Sequence, residues 1–401
     1  MKIIKRENYL RQVKPHFGKN VIKVLTGQRR VGKSYLLKQI MEIFEASDQN
    51  TNIIYIDKEK LEFDAIRDYR DLYAYIIEKT DKNCPNIVMI DEVQEIESFE
   101  KALRDLNENP AYDIFCTGSN ANLLSGELST FLAGRYVQIQ VHSLSYGEFL
   151  VFHQLESSVD SLGKYIKYGG MPYLMHLNLE EDEIVFDYLK NIYNSIILKD
   201  VVARHNIRNV NFLDRLVLFL ADNTGSVLSV KNISDFLKSQ KVRISVNTVM
   251  NYLDFLIHAF FVHKVSRYDI AGKKIFEINE KYYFEDLGLR HTIIGFRQND
   301  MGKILENLIY TQLKFKGYDV YVGKQRDMEI NFVAKKQDKT IYIQAVYLLK
   351  DKKTIDREFG NLLKLKDNFR KIVVSTDEFA QGNVKGVEHL HIMTFLKEFG
   401  Y

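Results

Sequence analysis

An α/β fold built on a mostly parallel sheet is predicted for residues 1–150, on three observations. Apolar runs of strand length recur there, at Val21 to Thr26, Asn52 to Ile56, Ile87 to Ile90 and Ile114 to Thr117. Helical patterns separate them, from Lys33 onward and near Tyr69 to Lys79. The runs are apolar with little alternation, as expected of strands covered on both faces by crossover helices. Past Gly147 the spacing turns helical, through Phe149 to Leu155, Leu162 to Lys167 and Ile184 to Val202, which predicts a helical lid or connector over 151–205.

From Asn211 to Ile278 helical patterns give way to two strand-like runs around Ala271-Gly272, where glycine suits a hairpin turn. This order resembles a winged helix, placed at 206–290. Its second and third helices are expected at Val230 to Lys238 and Val246 to Ala259, the latter capped by Ser245 or Asn247. From Met301 a helix leads into strands Val320 to Val322, Glu329 to Ala334, Thr340 to Tyr347 and Lys371 to Ser375, with helical spacing at Thr354 to Leu365. That makes a second, smaller α/β unit at 291–401.

Bulk properties agree with several folded domains. A chain of 401 residues exceeds what one core commonly supports, and 46% hydrophobic with 27% charged residues is a globular composition. The net charge of +3 provides no broad basic field, so any nucleic-acid contact must be local. Cys84 and Cys116 are the only cysteines and lie beside apolar runs, which argues against a disulfide or zinc framework. No apolar run reaches the roughly 18 residues of a membrane span, and the N-terminus has no export pattern, so a cytoplasmic protein is expected. The ten histidines lack metal-ligand spacing, and no Gly-x-Ser-x-Gly elbow points to a covalent hydrolase.

The sharpest motif is Gly27-Gln28-Arg29-Arg30-Val31-Gly32-Lys33-Ser34, a full G-x-x-x-x-G-K-S between a strand and a helix. Glycines let such a backbone wrap with its N–H groups inward, and the helix N-terminus adds positive potential for a triphosphate. ATP is the expected ligand of residues Gly27 to Tyr35, with Lys33 on the β- and γ-phosphates and the Ser34 hydroxyl on Mg²⁺. Arg29 and Arg30 have two readings, phosphate contact or pinning of the loop to acidic neighbours. Ile87 to Ile90 buries a strand that ends in Asp91 and Glu92, at the edge where parallel sheets bind ligands. Asp91 is assigned to Mg²⁺ and Glu92 to polarising the attacking water. After Ile114 to Thr117, Ser119 is expected to sense the γ-phosphate or the water, with Asn120 second. Arg135 is either an arginine finger, acting in cis or in trans, or a member of a structural ion pair.

These motifs resemble a prokaryotic family of AAA-type ATPases, the archaeal-type ATPases, whose C-terminal half is a domain of unknown function. The resemblance runs through Asp91-Glu92-Val93-Gln94, Thr117-Gly118-Ser119, Leu132-Ala133-Gly134-Arg135-Tyr136, Leu144-Ser145-Tyr146-Gly147-Glu148-Phe149 and Gly169-Gly170-Met171-Pro172. It continues in Lys281-Tyr282-Tyr283, Asp286-Leu287-Gly288-Leu289-Arg290 and Leu305-Glu306-Asn307-Leu308. It implies a P-loop NTPase core with a helical lid, then a winged helix and a PD-(D/E)xK nuclease-like domain. Within that last fold Glu306 matches the helix glutamate. Asn331, after Glu329, stands where a metal-binding aspartate is expected, and Gln344-Ala345-Val346 where E-x-K is expected. Too few anionic oxygens remain for Mg²⁺, so no nuclease activity is expected.

Between Met301 and Lys371 there are 16 Lys and Arg against 9 Asp and Glu, an excess that suits either a phosphate backbone or a solvated face. In the winged helix the candidates for DNA contact are Lys241, Arg243, Asn247 and Asn251, with Arg267, Lys273 and Lys274 at the wing. The expectation is a slow Mg-dependent ATPase that works as a switch for C-terminal domains binding DNA or protein. The rival is a DNA- or protein-binding module with ATP as a regulatory ligand. An oligomer is required only if Arg135 acts in trans.

Overall fold

The structure, a computed structural model, describes residues 4–47, 50–121, 134–239, 244–349, 351–377 and 381–400. Lys241 and Arg243 lie outside the described residues. Two compact units emerge, one of residues 1–142 with 258–260 and the other of 143–257 with 261–401.

The first unit is built on five strands, β1 (Ile22–Thr26), β2 (Asn52–Asp57), β3 (Asn86–Asp91), β4 (Tyr112–Gly118) and β5 (Tyr136–Gln140). They lie in the order β2-β3-β4-β1-β5, and every neighbouring pair is parallel. β1, β3 and β4 are buried at every residue, which is why their sequences lack alternation. Four helices are described here: α1 (Glu7–Val13), α2 (Lys33–Glu45), α3 (Tyr69–Lys79) and α4 (Phe99–Asn107). Asp68 opens α3 with a capping box that includes Asp71. α4 buries Phe99, Ala102, Leu103 and Leu106, one stripe at helical spacing, in the core of Val88, Ile90 and Ile114. Each such large apolar side chain contributes about 2 kcal/mol by leaving water. A buried charge pair interrupts the apolar strands: Lys23 in β1 is fully buried and bonds Asp113 of β4. Burial lowers its pKa and Asp113 opposes that fall.

The second unit opens with α5 (Tyr146–His153), α6 (Val159–Tyr168) and α7 (Asp182–Ser195), the last running into a π-helical stretch, Ile196–Ala203. α8 (Val210–Asp222), α9 (Val230–Ser239) and α10 (Val246–His258) precede the hairpin of β6 (Val262–Asp269) and β7 (Lys274–Phe284). Ser245 accepts the Thr248 N–H at 3.1 Å and so caps α10. There follow α11 (Leu287–Ile294), α12 (Met301–Phe315), β8 (Asp319–Gln325), β9 (Met328–Lys336), β10 (Lys339–Val346), α13 (Lys352–Leu363), β11 (Arg370–Ser375), β12 (Gln381–Val384), β13 (Val387–His391) and α14 (Ile392–Gly400). One eight-stranded sheet takes in the hairpin as well, in the order β12-β13-β11-β10-β9-β8-β6-β7. The join is a parallel pairing of Arg267–Asp269 in β6 with Val322–Lys324 in β8. Spacing along the chain puts these strands in separate segments; the sheet unites them, because β6 alone would leave an open edge. Among the described residues no helix is long and apolar enough to cross a membrane.

Candidate active site

Five parallel strands deliver their C-terminal ends to one edge of the first unit's sheet. Thr26 is level with Gly118, and Ile90 with Cys116, so the loops that follow β1, β3 and β4 start side by side. After β1 the chain turns through Gly27 to Gly32 into α2. A Cβ on Gly27 would meet the Val141 carbonyl oxygen at 2.1 Å, so only glycine fits there. Arg30 has a φ of 70°, a left-handed conformation, and its side chain is exposed. Gly32 is the N-cap of α2, whose first residues are Lys33 and Ser34.

Lys33 is buried. Its Nζ donates to the Gly27 and Gln28 carbonyls at 3.0 and 3.1 Å and stands 3.6 Å from Glu92 Oε1. Glu92 follows the last residue of β3 and is itself left-handed, with φ 54° and ψ 54°. For a residue with a Cβ this conformation costs about 1–2 kcal/mol, a strain of the kind that clusters at functional sites. Burial works to raise the Glu92 pKa, but Lys33, Gln94, Arg29 and Ser119 outweigh it and hold the carboxyl below its usual value. The carboxyl of Asp91 moves the other way. Burial raises it, Thr117 and Ser34 resist, and the charges of Glu92 and Asp57 add to the rise.

A hydroxyl that sequence reasoning passed over ties the two acids together. Thr117 Oγ1, near the end of β4, accepts the Glu92 N–H at 2.9 Å and donates to Asp91 Oδ1. Gln94, which the sequence presents only as part of a motif, also gains a role. Its Nε2 donates to Glu92 Oε2 and, at 3.4 Å, to Ser119 Oγ, while its Oε1 is buried with no partner among the described residues. The Gln28 amide is likewise buried, with neither end bonded among the described residues. Such atoms are rare unless a ligand or water completes them. Ser34 and Asp91 together offer a hydroxyl and a carboxylate, hard oxygen donors that suit a magnesium ion shared with phosphate. The residues therefore fit Mg-ATP.

Comparison with known proteins places the chain. It is 37% identical over 400 residues to an uncharacterized protein of Haemophilus influenzae, which covers 98% of both chains. The two belong to one family. The family extends to archaea, since an uncharacterized protein of Methanocaldococcus jannaschii is 31% identical over 404 residues, spanning 94% of this chain and 88% of that one. Residues 19–150 match an AAA domain, and residues 159–300 match a domain of unknown function (DUF8612). The Walker-type ATPase of Pyrococcus abyssi has a similar structure, with a TM-score of 0.51 at 16% identity, over 73% of this chain and 96% of that one. The N-terminal region of this family member is thus an AAA-type P-loop α/β fold.

Not every candidate gathers at the loop. Lys33, Ser34, Asp91, Glu92 and Ser119 do, and Ser119 is fully buried. Tyr35 follows them on α2 but is 55% exposed, with Lys38 over its ring. Arg29 pairs with Glu59 at 3.0 Å, and its charge also acts on Glu92. Arg135 does not gather there. It precedes β5 at the level of Ile22, the start of β1, whereas the loop leaves the other end of that strand. Five strand residues span about 15 Å. Arg135 is ion-paired with Glu108 at 2.9 Å, the other reading given for it, and lies at the end of the sheet away from the loop.

Proposed function

We propose that this chain binds Mg-ATP at Gly27 to Ser34 and hydrolyses it slowly, as a switch for its C-terminal half. The observation that carries this is the meeting, at one sheet edge, of the Lys33 ammonium, the Asp91 and Glu92 carboxylates and the Ser119 hydroxyl, with Lys33 3.6 Å from Glu92. Lys33 would leave the loop carbonyls for the β- and γ-phosphates, the α2 N-terminus would face the negative charge, and Glu92 would orient and polarise the water. Ser34 and Asp91 would hold Mg²⁺, which when bound screens charge on the phosphates. Ser119 and Gln94 would register the presence of the γ-phosphate. Loops ordered by that phosphate and released on cleavage supply the switch.

Two variants test the reading. Lys33→Ala should abolish Mg-ATP binding by calorimetry. Glu92→Gln should keep binding and lose turnover about a hundredfold or more. Turnover that survives both changes would remove the assignment.

For the C-terminal half we propose a winged helix followed by a nuclease-like fold without nuclease activity. Support for the inactivity comes from Lys281, whose Nζ lies 2.8 Å from both Glu306 and Glu329. Gln344 donates instead to Glu358 at 2.6 Å, and its Oε1 accepts the Asn331 N–H. An ammonium between the acids repels a second cation. The alternative, ATP as a regulatory ligand of a DNA- or protein-binding module, draws on the exposed Lys273 and Lys274 at the hairpin turn. A DNA affinity whose salt dependence weakens when both are neutralised would favour it.

A further inference from the structure

The front of the phosphate loop carries its motif; the back is held by an arginine outside every motif. Arg6 precedes α1 and is only 2% exposed. Its Nη1 donates to the Val31 carbonyl at 2.9 Å and to the His142 carbonyl at 3.0 Å. The guanidinium lies over the Tyr9 ring, 4.5 Å from its centroid. The same segment is fastened to α2 from both sides. The Arg6 N–H donates to Gln39 Oε1 at 3.0 Å, and Gln39 Nε2 returns a bond to the Ile4 carbonyl at 3.0 Å. Tyr9 completes the frame, its hydroxyl accepting the His142 N–H at 2.9 Å.

The bond to Val31 has a stereochemical consequence. The Val31 carbonyl and the Gly32 N–H belong to one planar trans peptide and point in opposite directions. A carbonyl drawn to the guanidinium behind the loop turns the Gly32 N–H to the front, where Lys33 and the α2 N-terminus begin. A charged donor on the carbonyl also polarises the peptide and makes that N–H a stronger donor. We infer that Arg6 is a positioning residue for triphosphate binding, setting the Val31–Gly32 peptide so that the Gly32 N–H faces the phosphates. This rests on the reading of Gly27 to Ser34 as the nucleotide site.

The test uses the full chain and three variants, Arg6→Ala, Arg6→Lys and Gln39→Ala, each measured for Mg-ATP affinity, for the split between KM and kcat, and for thermal stability. Arg6→Ala should weaken Mg-ATP about tenfold or more, with the loss in KM rather than kcat. Arg6→Lys should recover part of the affinity, since an ammonium answers a carbonyl but lacks the guanidinium's geometry. Gln39→Ala keeps the charge and loosens the segment, and should cost about threefold. A lowered melting temperature with wild-type affinity in the folded variants would overturn the inference and make Arg6 a strut. Should Arg6→Ala fail to fold, wild-type affinity in both Arg6→Lys and Gln39→Ala overturns it equally. Failure of the wild-type chain to bind Mg-ATP is a separate result, which removes the nucleotide site itself.

Discussion

Lys33 and Lys281 are both buried against glutamates, yet they are held in opposite ways. Lys33 has one carboxylate at 3.6 Å and leans on two loop carbonyls, partners that a phosphate can replace. Lys281 bridges Glu306 and Glu329 at 2.8 Å each, and the Tyr283 hydroxyl adds a bond to Glu306 at 2.5 Å. Burial alone would lower the Lys281 pKa, but the two carboxylates outweigh it and hold the group above its ordinary value. The difference separates a site from a strut. Where a buried charge is met mainly by neutral dipoles, an anion from outside can complete it; where carboxylates already match it, no ligand is needed.

The largest effect expected on that contrast is from Lys281→Met. It leaves Glu306 and Glu329 facing each other without a counter-ion, and breaking a buried pair costs 3–5 kcal/mol by general experience. Glu329 keeps 37% of its side-chain exposure, so water relieves part of this and about 3 kcal/mol is expected, read as a fall in urea midpoint. A variant as stable as wild type would show that the triad is no strut.

A third buried charge is answered, among the described residues, by peptide N–H groups. Asp286 accepts the Gly170 N–H at 2.7 Å and the Leu289 N–H at 3.1 Å. The fit is close enough that a Cβ on Gly288 would meet the Tyr168 carbonyl oxygen at 2.0 Å. Burial pushes the Asp286 carboxyl from 3.8 up to about 6, against the pull of those N–H donors. A raised folded-state pKa means that protonation favours folding. This contribution is full below about pH 4 and is lost as pH rises through about 6. Relative to the non-titrating Asp286→Asn variant, the wild type should therefore gain stability between pH 7 and pH 4, by up to about 3 kcal/mol. Urea midpoints of the two proteins that keep a constant difference over that range would show that Asp286 does not titrate there.

What could be read in the sequence was local. The loop from Gly27 to Ser34 and the acidic end of β3 are consecutive residues, and their strands are apolar enough to stand out. Thr117 could not be found that way, because its role depends on the register that sets Ile90 beside Cys116, and no spacing along the chain encodes it. Ser119, one residue beyond the strand, drew the assignment instead. Thr117→Val tests its weight. It leaves the Glu92 N–H unbonded in a buried place, which should cost about 1–2 kcal/mol of stability and lower turnover severalfold as Glu92 loses its anchor. Wild-type turnover in a folded Thr117→Val protein would return the task of fixing Glu92 to Gln94 alone. Other elements were hidden for related reasons. β5 is largely half-exposed and carries polar residues such as Gln138 and Gln140, and it gains strand structure only by pairing with β1. The joining of β6 to β8 links residues more than fifty apart. Lys281 stood in a motif, but nothing in its neighbours announced Glu306 and Glu329 as its partners.

The smallest effect concerns Arg135, where sequence and geometry part most clearly. Its pair with Glu108 is exposed on both sides, 44% and 59%, and such pairs contribute about 0–1 kcal/mol. Arg135→Ala should leave the urea midpoint nearly unchanged. Within one chain it should also leave turnover unchanged, since the arginine sits at the end of the sheet away from Lys33. A guanidinium so placed can reach a γ-phosphate only on another copy, and then turnover per molecule should rise with protein concentration in the wild type and stay flat in the variant. Turnover that is flat in both confines Arg135 to its surface pair, whereas a deficit in the variant at every dilution would mean that the chain moves this strand end much closer to the nucleotide than its register with β1 allows.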